Sequence, residues 1–265
     1  MNSKHRISSI LQANTLDTEI TGFETFQLSE LHLKATLDFE LPTKLRLGHL
    51  VEKIVAELIK SSTNYTLLYE NIQIKDGKKT IGELDFIIQN IATKQVTHLE
   101  LAYKFYLYDP TISSESINNW IGPNRNDSLI EKVNKLKSKQ FPLLYHECAK
   151  SALDSIEIDK VSQALCMLVS LFIPYEYKGS LSNSYQKAIT GYYLNFETFK
   201  NLDHSAKTYH IPSKTSWGMN PAENKTWTDF DTITQAISKS IQEKRSLLCW
   251  EKYKDDFTVF FITWW

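Results

Sequence analysis

The amino-acid sequence predicts a mixed α/β fold in which helices flank a partly antiparallel β-sheet. Residues 45–60 carry apolar side chains at helical spacing, and residues 65–108 contain three strand-like segments separated by turns. Strand-like and helical segments then alternate in the rest of the chain. With 265 residues, 42% hydrophobic and 23% charged, the composition is that of a globular protein with a substantial core. It excludes a coiled coil, a collagen-like chain and a mostly disordered chain.

The charge balance and the hydropathy pattern exclude further classes of protein. The 30 basic and 31 acidic side chains give a net charge of -1, so any contact with nucleic acid must come from a local basic patch. The longest apolar run, residues 164–173, is shorter than the roughly 20 residues that cross a bilayer, and no signal-peptide pattern is visible. We therefore expect a cytoplasmic protein without a membrane partner. Three widely spaced cysteines predict reduced, buried thiols rather than disulfides or a zinc site.

The elements of the first half follow from local patterns. Residues 45–60 form an amphipathic helix, and Thr43, which follows Pro42, is a candidate N-cap. The Asp76-Gly77 pair is a strong hairpin signal between the first two strands. The three expected strands are residues 65–74, 80–89 and 95–108. Residues 1–40 show no clear pattern.

We expect the second half of the chain to belong to the same domain as the first, so that one domain spans residues 1–265. A helix over residues 128–139 begins with a Ser128-x-x-Glu131 capping box, and Pro142 bends or restarts it. A second helix covers residues 229–244. The expected strands are residues 161–175, 188–199, 207–211, 247–250 and 257–264. The last two form a hairpin that turns at residues 254–256.

Two acidic side chains stand out within the three-strand segment. If the second hairpin turns midway between Ala92 and Thr93, Asp85 lies directly opposite Glu100. Facing carboxylates repel, and a divalent cation held by carboxylate oxygens and water would relieve this repulsion. Lys104 lies further along the same face as Glu100, where it could hold a water molecule or offset phosphate charge. The alternative is an ion pair between Asp85 and Lys104 on a solvated sheet face.

The order of these residues resembles the core of the PD-(D/E)XK nuclease-like superfamily. A helix with Glu52, the Gly82-Glu-Leu-Asp85 segment, a Glu100-x-x-x-Lys104 segment and a further helix follow one another. More closely, four segments resemble a bacterial family, domain-of-unknown-function family 1853: residues 47–52, 81–86, 98–107 and 120–124. The resemblance is strongest over residues 45–145.

The resemblance implies a restriction-endonuclease-like core with a C-terminal elaboration over residues 161–265. It also implies hydrolysis of phosphodiester bonds in nucleic acid, DNA rather than RNA, with Mg²⁺ or Mn²⁺ as cofactor. Asp85 and Glu100 would bind the metal, Glu52 would be an additional acid, and Lys104 would be the catalytic lysine. Glu52 lies beside Gly48 and Ala56, which would let this flank of the helix approach the sheet; the alternative is a surface glutamate.

One departure from the superfamily pattern favours a second function. Ala102 occupies the usual position of the lysine, and Lys104 is one step, about 6.6 Å, further along the strand. The chain could therefore be a catalytically inactive module that binds nucleic acid or a protein partner. The aromatic C-terminal strand, residues 257–265, would suit a homodimer or protein partner if it lay at a sheet edge. His98, beside Glu100, is either a packed histidine, a residue that lies behind the metal ligands, or a general base.

A basic strip on the helix after the lysine strand is the candidate nucleic-acid contact. Lys132, Lys135 and Lys139 share one helical face, and Asn124 and Arg125 come just before the helix. Such a strip would contact a few phosphates and make binding salt-sensitive. The alternative is an ordinary solvated helix face.

Overall fold

Ten strands form a mixed β-sheet flanked by helices in the part of the chain that the computed structural model describes, residues 3–34, 37, 39–42 and 44–265. The strands are β1 (Asn14–Thr15), β2 (Tyr65–Asp76), β3 (Lys79–Asn90), β4 (Val96–Tyr108), β5 (Trp120–Ile121), β6 (Ser162–Pro174), β7 (Ile189–Asn195), β8 (Lys207–His210), β9 (Leu247–Tyr253) and β10 (Asp256–Thr263). Their order is β2-β3-β4-β6-β7-β10-β9-β8, with β1 beside β6 and β5 beside β4. The predicted α/β class is confirmed.

Helices occupy the segments between these strands. They are α1 (Ser3–Leu11), α2 (Thr18–Thr21), α3 (Leu47–Lys60), α4 (Leu129–Lys135), α5 (Phe141–Leu143), α6 (Glu147–Ala152), α7 (Asn183–Gln186), α8 (Phe196–Lys200) and α9 (Phe230–Gln242). A π-helical turn, Leu136–Gln140, joins α4 to α5. Arg46 occupies the N-cap position of α3, and the candidate cap Thr43 lies outside the described residues. No helix among the described residues has the length and apolar character needed to cross a membrane.

The described residues group into two compact units. We call the first the Asp85 unit; it contains Thr15–Tyr103 and Lys132–Leu168. We call the second the C-terminal unit; it contains the residues up to Asn14, Lys104–Glu131 and Val169–Trp265. Each unit has its own buried cluster of apolar side chains.

The Asp85 unit is built on the predicted three-strand meander. β2 pairs with β3 in antiparallel register around the Asp76-Gly77 turn, where Gly77 has a φ of 57° that suits glycine. The apolar stripe of α3 is buried as predicted: Leu47, Val51, Ile54, Val55 and Leu58. The core cluster below β2 and β3 consists of Ile74, Leu84, Ile87, Leu144, Ala149, Leu153, Ile158 and Val161.

The C-terminal unit contains the predicted hairpin of β9 and β10, while one of its strands is shorter than expected. The strand predicted over residues 188–199 ends at Asn195. There the Asn195 side chain accepts a hydrogen bond from the N–H of Thr198 and begins α8. β10 pairs with β7 on one side and with β9 on the other, so the C-terminal strand is an interior strand of the sheet and does not form the edge considered for a partner. Ile233 and Ile237 of α9 pack in the core.

The cysteines are unpaired, as predicted. Cys166 and Cys249 are buried, and burial raises the pKa of the Cys166 thiol to about 12. Cys148 is only half-buried, because α6 lies near the surface of the unit.

Candidate functional site

Asp85 and Glu100 lie opposite each other on β3 and β4. The antiparallel register pairs Phe86 with Leu99, and its extension by one residue aligns Asp85 with Glu100, as the sequence predicts. Regular pairing stops at this point. The N–H of Leu101 donates instead to Oδ2 of Asp85 at 2.8 Å, so a side chain occupies the place of a backbone acceptor. The carboxylates therefore face each other where the two strands separate.

The Glu100 carboxylate is fully buried and held at both oxygens. Its Oε1 lies 2.9 Å from Nε2 of His98, which is also fully buried. Its Oε2 accepts a hydrogen bond from Nε2 of Gln140 at 2.5 Å. These contacts give a buried carboxylate the partners that it needs and fix the plane of its side chain.

Asp85 has an unusual protonation equilibrium. Burial, the charge of Glu100 and, to a smaller extent, the charge of Glu52 raise the pKa of Asp85 to about 8. The hydrogen bond from Leu101 and the charge of Lys132 act in the opposite direction. Since a cation would stabilise the ionised form of Asp85, this group of acids has the electrostatics expected of a cation site.

Glu52 lies on α3 at the margin of this group. Its side chain is 28% exposed and its Oε2 lies 3.0 Å from Nδ1 of His49. Among the described residues, a Cβ at Gly48 would meet no atom within 4 Å, so the close approach expected beside Glu52 is not made at Gly48, whereas Ala56 is buried. Glu52 contributes negative charge near Asp85.

The helical segment from α4 to α5 brings a lysine and an amide to the carboxylates. The hydroxyl of Ser128 caps the segment by accepting from the N–H of Glu131 at 3.3 Å, as predicted. The expected uninterrupted helix over residues 128–139 instead widens into the π-turn before Pro142, which has no N–H to donate. Nζ of Lys132 donates to Oε1 of Gln140 at 2.8 Å. One α-turn of about 3.6 residues and one wider π-turn of about 4.4 place these two side chains on one face.

Gly82 lies against the end of the same helical segment. A Cβ at Gly82 would lie 2.5 Å from Cδ2 of Leu143, so the leucine side chain packs over this glycine. Leu143 comes three residues after Gln140. The sequence offered no signal for Gln140, because its position depends on the π-turn.

Lys104 belongs to the C-terminal unit and has an acidic partner there. Its Nζ lies 2.7 Å from Oδ2 of Asp127. Asp127 packs against Gly122, where a Cβ would lie 2.1 Å from its Oδ1. The alternative ion pair between Lys104 and Asp85 is therefore replaced by one with Asp127.

Asn124 and Arg125 make structural contacts in the same unit. Oδ1 of Asn124 accepts from the N–H of Ser246 at 2.8 Å. The Arg125 guanidinium lies 2.9 Å from Oδ2 of Asp109 and 4.3 Å above the ring of Trp265. By contrast, Lys135 and Lys139 in the Asp85 unit are exposed.

The donor set suits a cation that keeps much of its water. Within the described ranges, no cluster of three or more His, Cys, Asp or Glu side chains is arranged to hold a metal ion. Mg²⁺ commonly binds proteins through one or two carboxylates and fills its remaining positions with water and substrate oxygens. Asp85 and Glu100 fit this sparse mode, and the raised pKa of Asp85 agrees with it.

Comparison with known protein families places the chain in a family of unknown function. The family model for Domain of unknown function (DUF1853) matches residues 5–255. No curated protein and no solved structure matches the chain. Because the family model covers nearly the whole chain, the resemblance to this family seen over residues 45–145 is confirmed and extends well beyond them. The chain belongs to the DUF1853 family.

Proposed function

We propose that this protein hydrolyses phosphodiester bonds in nucleic acid, DNA rather than RNA, with Mg²⁺ or Mn²⁺ at a PD-(D/E)XK-type site. The observation that carries the proposal is the facing pair of Asp85 and Glu100, together with the pKa of about 8 at Asp85. Two carboxyl groups that share a buried site do not both ionise readily, and strongly perturbed pKa values of this kind cluster at functional sites.

The acidic residues have separate tasks in this proposal. Asp85 and Glu100 provide oxygen ligands, and Glu52 adds negative charge from α3. The metal, when bound, would lower the pKa of a water molecule and stabilise charge on a phosphoryl oxygen. His98 and Gln140 hold the Glu100 side chain in place through its two oxygens.

Lys132 is the cation that we assign to this site. It acts electrostatically on Asp85, and Gln140 connects it to Glu100 through two consecutive hydrogen bonds. A lysine ammonium in this position can offset charge that develops on a phosphate. The catalytic role predicted for Lys104 remains a prediction; its contact with Asp127 makes Lys132 the better candidate.

Exposed lysines on the same segment would bind the substrate backbone. Lys135 and Lys139 project from the segment that carries Lys132, so phosphates held by them would lie near the carboxylates. We expect binding to weaken as salt rises, because each phosphate contact releases a counterion. The phosphate contacts predicted for Asn124 and Arg125 remain a prediction; both residues have partners within the C-terminal unit.

A cleavage assay tests the proposal. Labelled single-stranded DNA, duplex DNA and RNA would be incubated with Mn²⁺, with Mg²⁺ and with chelator. The Glu100→Gln variant keeps the size of the side chain and loses the charged ligand. Since metal stabilisation of the transition state amounts to several kcal/mol, cleavage should fall at least about 100-fold.

The matched control is Glu70→Gln, which removes a surface carboxylate of β2 in the same unit. It should cleave like the wild-type protein. Equal cleavage by the Glu100 variant and the wild-type protein would refute the assignment.

A second candidate is a catalytically inactive module that binds nucleic acid or a protein. Two observations favour it: Lys104 is paired with Asp127, and the described residues contain no three-ligand metal cluster. This function predicts salt-sensitive DNA binding that chelator leaves unchanged. Metal-dependent turnover that disappears with Glu100→Gln would exclude it.

A further inference from the structure

Behind Glu100, a chain of hydrogen bonds leads to a main-chain carbonyl within the Asp85 unit. Nε2 of Gln163, on β6, donates to the carbonyl oxygen of Phe141 at 2.8 Å. The same nitrogen lies 3.2 Å from Nδ1 of His98, whose Nε2 lies 2.9 Å from Oε1 of Glu100. The chain therefore runs from a backbone acceptor through one amide and one imidazole to the carboxylate.

The fixed acceptor at one end determines the direction of every bond. A main-chain carbonyl can only accept, so the Gln163 atom beside Phe141 must be the NH₂ group. One hydrogen of this group goes to Phe141 and the other points at Nδ1 of His98. Nδ1 must then carry the lone pair, so the hydrogen of the neutral imidazole is on Nε2 and is donated to Glu100.

Any other protonation of His98, or the opposite orientation of the Gln163 amide, would place two donors or two acceptors against each other in a buried position. An imidazolium would direct its Nδ1–H at the NH₂ group of Gln163. Rotating the Gln163 amide by 180° would relieve that contact, but it would direct the amide oxygen at the carbonyl oxygen of Phe141. A buried polar group left without a partner costs about 1–3 kcal/mol, so either arrangement is disfavoured. The Phe141 ring also packs edge-on against His98, at 5.6 Å between centroids, and restricts the plane of the imidazole.

We propose that His98 is a positioning residue for Glu100, held by Gln163 as the neutral Nε2–H tautomer. This inference rests on the proposed function, in which Glu100 binds the metal. A neutral donor orients the carboxylate without cancelling its charge, whereas an imidazolium would compete with the cation. Gln140, on the other oxygen, is also a neutral donor. Both partners therefore leave the negative charge available to a metal.

Nitrogen-15 NMR of the metal-free protein tests the tautomer. The His98 resonances, assigned by their loss in His98→Gln, should show an unprotonated Nδ1 and a protonated Nε2. A protonated Nδ1, in either the other tautomer or an imidazolium, would overturn the proposal. This result does not depend on whether the protein cleaves nucleic acid, so it separates this inference from the proposed function.

Mn²⁺ titration by calorimetry tests the consequence for Glu100. Gln163→Glu replaces the donor that faces Nδ1 with an acceptor and does not touch Glu100. Partners behind metal ligands usually contribute about 10- to 100-fold to metal affinity, so the dissociation constant should rise by that factor. Gln186→Glu is the matched control, because the Gln186 amide also donates to a main-chain carbonyl, that of Leu181 at 2.8 Å. It should bind Mn²⁺ like the wild-type protein.

Two substitutions at His98 separate positioning from packing. His98→Gln retains a neutral donor near the position of Nε2 and should bind Mn²⁺ within a few-fold of the wild-type protein. His98→Phe retains a buried ring without the donor and should lose affinity about as much as Gln163→Glu. Equal Mn²⁺ affinity in His98→Phe and wild type would overturn the positioning role. Absence of Mn²⁺ binding in the wild-type protein would overturn the metal-directed role and the proposed function, whatever the NMR result for the tautomer.

Discussion

Replacing Asp85 with asparagine should stabilise the metal-free protein, and the gain should grow with pH. The amide keeps an acceptor for the N–H of Leu101, which now donates to Oδ2 at 2.8 Å. It removes the ionisable group that faces Glu100 and Glu52. The pKa of Asp85 is about 8 in the folded protein, raised first by burial, against a usual value of 3.8. Between these values the folded state keeps a proton that the unfolded state has lost.

The sign and size of the effect follow from proton linkage. When the folded pKa of an acid is raised, stability falls as pH rises through the interval, by about 1.4 kcal/mol per pH unit for one proton. Below both pKa values the carboxyl group is protonated in both states and has no effect. At pH values above both pKa values, the loss of stability is complete and no longer changes with pH. From about pH 5 to about pH 7, the advantage of Asp85→Asn should therefore grow by about 3 kcal/mol.

Urea unfolding with chelator, repeated across this pH range, measures the effect. The matched control is Asp154→Asn, which removes an exposed carboxylate of the same unit. Its free energy of unfolding should run parallel to that of the wild-type protein. A pH-independent difference between Asp85→Asn and wild type, or a variant less stable than wild type near pH 7, would refute the reasoning.

Added metal should narrow the difference in stability between Asp85→Asn and the wild-type protein. At a Mn²⁺ concentration about 100 times the dissociation constant, the wild-type protein should gain about 2.7 kcal/mol, because only its folded state binds the ion. The Asp85→Asn variant should gain much less. An equal gain in stability in both proteins would show that Mn²⁺ binds at a site that does not include Asp85.

Gly191→Ala should lower the free energy of unfolding, measured in urea, by about 2–4 kcal/mol. The reason is that a Cβ at this position would lie 1.9 Å from the carbonyl oxygen of Val259 on β10. A smaller loss of stability would contradict the close approach of β7 to β10. Gly48→Ala, the matched control in open space on α3, should instead gain about 0.5 kcal/mol from helix propensity. If Lys132 supplies the charge at the site, Lys132→Met should lower kcat/KM at least about tenfold, while Lys104→Met should change it by less. The reverse order in the same cleavage assay would return the catalytic role to Lys104.

Much of the Asp85 unit could be predicted from local pattern. The Asp76-Gly77 pair predicted the turn between β2 and β3. The alternation of side chains on β3 and β4, with a turn between Ala92 and Thr93, predicted the observed β3–β4 register. The stripe of α3 was equally clear, since apolar side chains at helical spacing have one compact arrangement against a sheet. Asp85 and Glu100 could therefore be paired without a structure.

Other features depend on contacts that no local pattern shows. Residues 196–199 have strand-like composition, but the Asn195 cap begins a helix there. The π-turn that joins Lys132 to Gln140 interrupts the helical period, and that period alone does not show where such a turn forms. Lys104 was predicted to share a face of β4 with Glu100. Its observed partner, Asp127, comes from a loop that follows 23 residues later.

The hydrogen-bond chain that ends at the Phe141 carbonyl has a consequence for how the family can vary. Every residue has a main-chain carbonyl, so this anchor persists whichever side chain stands at position 141, provided the backbone keeps its path. The amide and the imidazole, in contrast, are supplied by side chains 65 residues apart on different strands. Among related sequences, we therefore expect substitutions at His98 and Gln163 to occur together. A relative with a substitution at only one of these two positions would have a hydrogen-bond donor or acceptor without a partner.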